Sequence, residues 1–551
     1  MTDKVTPEAK SSVQGQGARL DAGGMNRLVS RNIFSSVGAK LLYLVTRFFI
    51  PPIVLAYISL EEYGIWAISF ILIGYLGMSA FGVSNVYIRY VAQYHAKGEE
   101  HRIGDLLSTG LTVVSLISLV ALALLWIGLP TLIDALSVSP DLRTTAFVLI
   151  FGSAAIFALE LSWGAFAYVL TGLQRIVQQN QVWVGTFLLE TLLVVVFLVA
   201  GLGVYSLLYA FAIRYLVSIS VNVWLCFRNI PGLTISLRRF NRADLALFYR
   251  YGGIVQLSGF LGMFLRSIEK LIAGLFINVQ ATGLFDVAQK FPVMATSIPG
   301  SMNAVFLPAT SYMHSQERRG ELLELYFKGA RYINLVTGFM MGFMAAFAAP
   351  LMVAWLGPNP EFALAPLILA CFTLPFQLNI LTGPASNIYR GMGIPARELI
   401  YPLSQLALVV ILVGAGFLIF GIDVVVITLA VALAMILSAL IYMVYTNRFL
   451  ELGQGRFVRG ALLPGLWPYL TGFGLYLLAR PWVESVGDDR WGSIVLVLVA
   501  GIVYCALQAA ILWFFQFDAG EKDFVAVKVR GLTGRLGGAR FLRKREHPNG
   551  H

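Results

Sequence analysis

The sequence predicts an all-α integral membrane protein: about 14 transmembrane helices, in two parallel-repeat six-helix lobes plus a C-terminal helix pair. Three observations predict it. The 551 residues are 58% hydrophobic and only 13% charged, with a mean hydropathy of +0.77, whereas soluble domains carry about 25% charged residues. The charges are gathered between apolar runs of about 20 residues, the length that crosses a bilayer core. Finally, the first and second halves of the chain resemble each other at a fixed offset.

Fourteen apolar segments run near 33–57, 64–88, 105–129, 144–170, 180–200, 203–227, 251–276, 282–308, 327–349, 362–386, 401–420, 423–446, 460–479 and 492–516. Basic residues alternate sharply between their connections. With the N-terminus inside, cytoplasmic pieces hold 31 of the 40 Lys and Arg, outside loops hold three (Arg143, Arg480, Arg490), and six fall within spans. This asymmetry predicts both termini in the cytoplasm. Residues 1–26 are polar, without the apolar core of a signal peptide, and read as a disordered tail. The net charge of +11 then records orientation rather than nucleic-acid binding. Cys226, Cys371 and Cys505 all fall in predicted spans, which suits apolar filler and no disulfide framework.

The repeat is carried by "LEEYGIWAIS" (60–69) and "VQATGLFDVA" (279–288), whose glycines Gly64 and Gly283 are 219 positions apart. The same offset relates Arg47 to Arg266, Tyr87 to Phe306, His95 to His314 and Gly172 to Gly391. An offset of six helices preserves orientation, so the repeats are parallel and related by an axis along the membrane normal. The resulting divisions are an N-terminal tail (1–26), an N-lobe (27–228), a basic linker (229–250), a C-lobe (251–448), helices 13 and 14 (449–516) and a basic tail (517–551).

Charge inside the spans is the main functional signal, because each such group costs at least about 2.5–3.5 kcal/mol to insert. Lys40 and Arg47 lie two turns apart on one face of the first span, where "PP" at 51–52 predicts a kink or interruption. That span holds no acid to pair with them. Arg214 in the sixth span can pair with Glu190 in the fifth. The seventh span carries Arg266 and Lys270 at i, i+4 with Glu269 beside them, the eighth carries Asp286 and Lys290 at i, i+4, and the two groups lie at similar depth, so cross-pairing such as Glu269 with Lys290 is geometrically reasonable. Glu160 has no basic neighbour on its own span. A structural ion-pair network is the competing reading for all of these.

The balance is six bases to four acids. Lys40, Arg47, Arg214, Arg266, Lys270 and Lys290 therefore suit an anionic substrate, with arginine matched to phosphate by its bidentate fork. Glu160, Glu190, Glu269 and Asp286 are the candidates for ion coupling. No cofactor is expected: there is no Walker A sequence, and the five histidines lack zinc spacing. His95 and His314 read as solvated surface.

The pieces "RNIFSSVGAK", "LEEYGIWAI", "FGVSNVYIRYVAQYHAKGE", "VLTGLQR" and "LMVAWLG" resemble the polysaccharide-transporter (Wzx-type) flippases of the multidrug/oligosaccharidyl-lipid/polysaccharide exporter superfamily, over roughly residues 27–450. The resemblance implies two six-helix lobes, a cationic cavity, and transfer of undecaprenyl-pyrophosphate-linked oligosaccharide to the outer leaflet. It also implies membrane lipids, and polysaccharide polymerase and chain-length proteins, as partners. Arg47 and Arg266 would then hold the pyrophosphate, with Lys40 near the cytoplasmic mouth. Many members carry Asp near the position of Glu269. Three other classes remain open at this stage: an exporter of finished polymer or small solute, a membrane-embedded glycan polymerase or ligase, and a non-transporting scaffold. A polymerase or ligase needs ordered acids or histidines in a sizeable loop, and a scaffold gains nothing from buried cations.

Overall fold

The computed structural model describes residues 22–78, 83–241, 245 and 253–523, and among these there is no strand. Most of the expected N-terminal tail, part of the basic linker and the end of the basic tail lie outside the described residues.

The first half comprises α1 (Ala22–Leu55), α2 (Leu60–Met78), α3 (Val83–Lys97), α4 (Glu100–Ala135), α5 (Arg143–Trp163), α6 (Ala165–Gly172), α7 (Ile176–Val199) and α8 (Tyr205–Asn229). The expected interruption of α1 does not occur; the helix runs through Pro51 and Pro52 to Leu55. The fixed φ of proline is itself helical, so two prolines near a helix end remove hydrogen bonds without forcing a break.

Ten helices among the described residues are long and apolar enough to cross a membrane. An eleventh span is formed if Arg319–Ala346 and Ala348–Leu356, bent by 79° at their junction, are taken as one. The other three expected spans fall on shorter pieces. One is α2, which opens on Glu61 and Glu62. The second is α9 (Gly253–Leu265) and α10 (Ile268–Phe276), divided at Arg266 and Ser267. The third is a chain of short helices: α11 (Val279–Ala288), α12 (Lys290–Ala295), α13 (Ser297–Met302) and α14 (Phe306–Ser315). Pro292, Pro299 and Pro308 punctuate that chain, each removing a backbone donor.

The second half continues with α15 (Arg319–Ala346), α16 (Ala348–Leu356), α17 (Ala365–Leu381), α18 (Gly383–Gly391), α19 (Ile400–Phe420) and α20 (Val424–Phe449). The repeat is visible in the packing. Gly172 lets α6 close on α3, where a Cβ would sit 2.9 Å from Val91 Cβ and 3.1 Å from the Ile88 carbonyl oxygen. Gly391 lets α18 close on α14, where a Cβ would sit 2.7 Å from Thr310 Cβ and 3.2 Å from the Leu307 carbonyl oxygen. Val91 and Thr310, and Ile88 and Leu307, stand at the same 219-residue offset as the glycines.

The C-terminal pair, α21 (Trp467–Val486) and α22 (Arg490–Ile511), packs on α15 and α16. Irregular turns over 458–465 leave carbonyls without helical partners. Asn334 Nδ2 donates to the Ala461 and Leu462 oxygens at 2.8 and 2.7 Å, and Gln377 Nε2 to that of Gly465 at 2.9 Å.

Contacts divide the chain into two compact units. The first comprises Met1–Tyr57, Leu76–Gly128 and Phe151–Tyr251; the second comprises Ile58–Tyr75, Leu129–Ile150 and Gly252–His551. The first has an apolar core around Val91, Leu106, Phe166 and Val169. The second has one around Phe306, Tyr326, Tyr389 and Tyr442.

Candidate functional site

The first unit gathers charge on α1, α7 and α8, which pack in that order. Glu190 on α7 accepts from Arg47 Nη2 at 2.9 and 3.1 Å and from Arg214 Nη1 at 2.8 Å. The first span holds no acid of its own, and the partner of Arg47 comes from 143 residues away in sequence, which only helix packing could supply. The expected Arg214–Glu190 pair is present. Tyr43 and Tyr215 lie beneath the Arg47 and Arg214 guanidiniums at 5.4 and 4.9 Å. Two cations on one carboxylate leave a formal charge of +1. The Arg47 side chain is 32% exposed, against 10% for Arg214, so Arg47 is the more exposed member. Lys40, further along α1, is exposed.

Glu160 sits where α5 gives way to α6. A Cβ on Gly164 would lie 2.8 Å from Glu160 Oε1, so the glycine makes room for the carboxylate. The other oxygen, Oε2, is buried with no hydrogen-bond partner. Such an oxygen can accept a proton or a donor ligand without breaking an existing pair.

The second unit holds the remaining charges. Asp286 on α11 takes Lys270 Nζ and Lys290 Nζ, each at 2.8 Å, and the Tyr63 hydroxyl at 3.0 Å. This corrects the expected Glu269–Lys290 pair. Lys290 lies one turn from Asp286 on the same face, and α10 presents Lys270 rather than Glu269 to α11. Glu269 is instead only 2% exposed. Tyr63 was not legible as a site residue, although it immediately precedes the repeat glycine Gly64.

Arg266 is exposed at the break between α9 and α10. Arg47 has Glu190 and Arg214 as neighbours, but the positions 219 residues beyond those two are Val409 and Leu433. The repeat therefore supplies no acid for Arg266, and none of the ion pairs among the described residues includes it. Among the described residues there is also no group of three or more His, Cys, Asp or Glu able to hold a metal.

Comparison with known proteins places these features in context. A family described as "Polysaccharide biosynthesis protein" matches residues 54–359. The uncharacterized membrane protein EpsK of Bacillus subtilis (strain 168) is 22% identical over 516 residues, covering 92% of this chain and 99% of that protein. The fold is similar to that of the lipid II flippase MurJ in an inward closed conformation, with a TM-score of 0.63 at 13% identity, over 88% of this chain and 98% of that one. It is also similar to an inward-facing multidrug resistance transporter of the MATE family, with a TM-score of 0.60 at 14% identity, over 75% of this chain and 94% of that one.

Proposed function

Because the chain belongs to the polysaccharide biosynthesis protein family, and is a multi-pass membrane protein with a flippase and transporter fold, we propose that it is a flippase for undecaprenyl-pyrophosphate-linked oligosaccharide. It works by alternating access in the bacterial inner membrane, with both termini cytoplasmic. It is a carrier rather than an enzyme, and it hands its cargo to polysaccharide polymerase and chain-length proteins. Arg266 carries the reading. An exposed guanidinium with no ion-pair partner among the described residues is poised for a phosphate fork, and it is costly to keep in a membrane.

Within the first unit, Arg47 is an anion contact in its own right, since Glu190 already shares its charge with Arg214, and Lys40 is another. Lys270 and Lys290 contribute less while Asp286 holds both. Among the acids, Glu160 and Glu269 are better placed for ion coupling than Glu190 and Asp286, whose charges are already met by cations.

The test measures surface polysaccharide and membrane abundance in the same cells. Arg266→Ala is expected to abolish polysaccharide at normal abundance, and Arg266→Lys to retain part of it, because lysine keeps the charge and loses the fork. Normal polysaccharide from Arg266→Ala overturns the assignment. The likeness to a multidrug transporter gives the alternative outcome: loss of small-solute export with polysaccharide intact.

A further inference from the structure

Two pieces of the first half of the chain, 58–75 and 129–150, belong to the second compact unit. Within that unit they are joined to each other and to α10 and α11. Glu61 accepts from the Ser139 nitrogen and hydroxyl at 2.9 and 2.8 Å. Gly64 rests on α11 so closely that a Cβ would come within 2.1 Å of the Val279 carbonyl oxygen. A Cβ on Gly274 would meet Ile68, Leu136 and Thr282 together. The seal so formed is tight, with Leu60, Ile65, Ile68 and Val279 each 1% exposed and Thr282 fully buried.

A polar link across this seal is a neutral hydroxyl on a charged group: Tyr63 to Asp286, at 3.0 Å. Lys270 and Lys290 face Asp286 there from two sides, each at 2.8 Å. A hydroxyl–carboxylate bond adds directional strength but, unlike an ion pair, strands no unpaired charge on the tyrosine side when it opens.

At three of the four places where the chain enters or leaves these two pieces it does so at residues suited to bending. The division at 75/76 lies between Gly74 and Gly77, that at 128/129 between Gly128 and Pro130, and that at 150/151 beside Gly152. Glycine and proline are the residues at which helices bend most readily.

We propose that Tyr63 and Asp286 form a latch holding 58–75 and 129–150 against α10 and α11, closing one end of the transport path. The charge pattern of the sequence puts that end outside. The latch opens by breaking the Tyr63–Asp286 bond, and the two segments then swing on their glycine and proline positions. Lys270 and Lys290 hold the latch in place in this arrangement.

The test is thiol accessibility in whole cells, in full-length protein with Cys226, Cys371 and Cys505 changed to serine. Thr282→Cys places a thiol in the seal. Ala365→Cys, at a position that is likewise fully buried, reports general loosening of the same unit. With the latch intact, an impermeant thiol reagent labels neither site appreciably. Tyr63→Phe keeps the ring and removes the hydroxyl, and is expected to speed labelling of Thr282→Cys about tenfold, as loss of a hydrogen bond to a charged group would, without change at Ala365→Cys. Asp286→Asn together with Lys270→Met gives the same selective rise. No rise at Thr282→Cys in either background overturns the latch, and so does an equal rise at both sites. The labelling reads access to the seal rather than transport, and its outcome is judged against the unaltered latch in the same cells, whatever the protein carries.

Discussion

Gly283 lies directly against Gly64. A Cβ on Gly283 would come within 3.1 Å of the Gly64 nitrogen and 2.8 Å of the Leu60 carbonyl oxygen. The two glycines occupy matching positions of the repeats, so the start of one repeat's second span packs backbone to backbone on its counterpart in the other. Only a residue without a side chain permits this approach, and both partners need it.

Substitution at this crossing is therefore expected to be costly. Gly64→Ala places its Cβ against backbone oxygen, which no side-chain rotation relieves, and overpacking of this kind costs about 1–3 kcal/mol. Gly414→Ala is the control, because its Cβ would meet nothing within 4 Å and replacing a mid-helix glycine stabilises by about 0.5–1 kcal/mol. Thermal unfolding of the detergent-purified protein should show a lower melting temperature for the first and an unchanged or higher one for the second.

The arginines on Glu190 should separate by burial. Arg47→Ala leaves the Arg214–Glu190 pair intact, so abundance in the membrane is expected to stay near normal while transport falls. Glu190→Gln strands two cations, one of them 10% exposed, and breaking a buried pair from one side costs about 3–5 kcal/mol. Quantitative immunoblotting of membranes should find Glu190→Gln depleted and Arg47→Ala not. Equal depletion would place Arg47 in the framework rather than on the substrate path.

Asn334 is expected to hold the C-terminal helix pair in place. Asn334→Leu leaves the Ala461 and Leu462 carbonyls without their donor, at about 1–3 kcal/mol for each orphaned group. Limited proteolysis should then cleave between α20 and α21 faster than in the parent protein.

Orientation can be read at Ser137, an exposed residue with φ of 51° at the turn after α4. Ser137→Cys is expected to react with an impermeant thiol reagent in intact cells. Reaction only after lysis would reverse the assigned sidedness.

Much of this protein follows from the order of its residues. Apolar runs of about 20 residues give membrane helices because a single helix satisfies all its backbone groups within itself in lipid, whereas a spanning strand is half that length and needs a closed barrel. The 219-residue repeat was legible in Gly172 and Gly391 because close helix contact tolerates few residue types, and the same two glycines make equivalent contacts in the fold. The family resemblance, carried by short motifs around these positions, agrees with the family match. Ion pairing was legible only where partners are near in sequence: Arg214 with Glu190, 24 residues apart, and Asp286 with Lys290, one turn apart. Tertiary structure alone decided the rest. It brought Glu190 to Arg47, chose Lys270 over Glu269 as the partner of Asp286, added Tyr63 from 223 residues away, and left Arg266 without an acid among the described residues. Periodicity along one helix says which residues share a face, but the rotation and depth at which two helices meet depend on side-chain packing summed over both, and a shift of one residue moves a charge by about 100° around the axis.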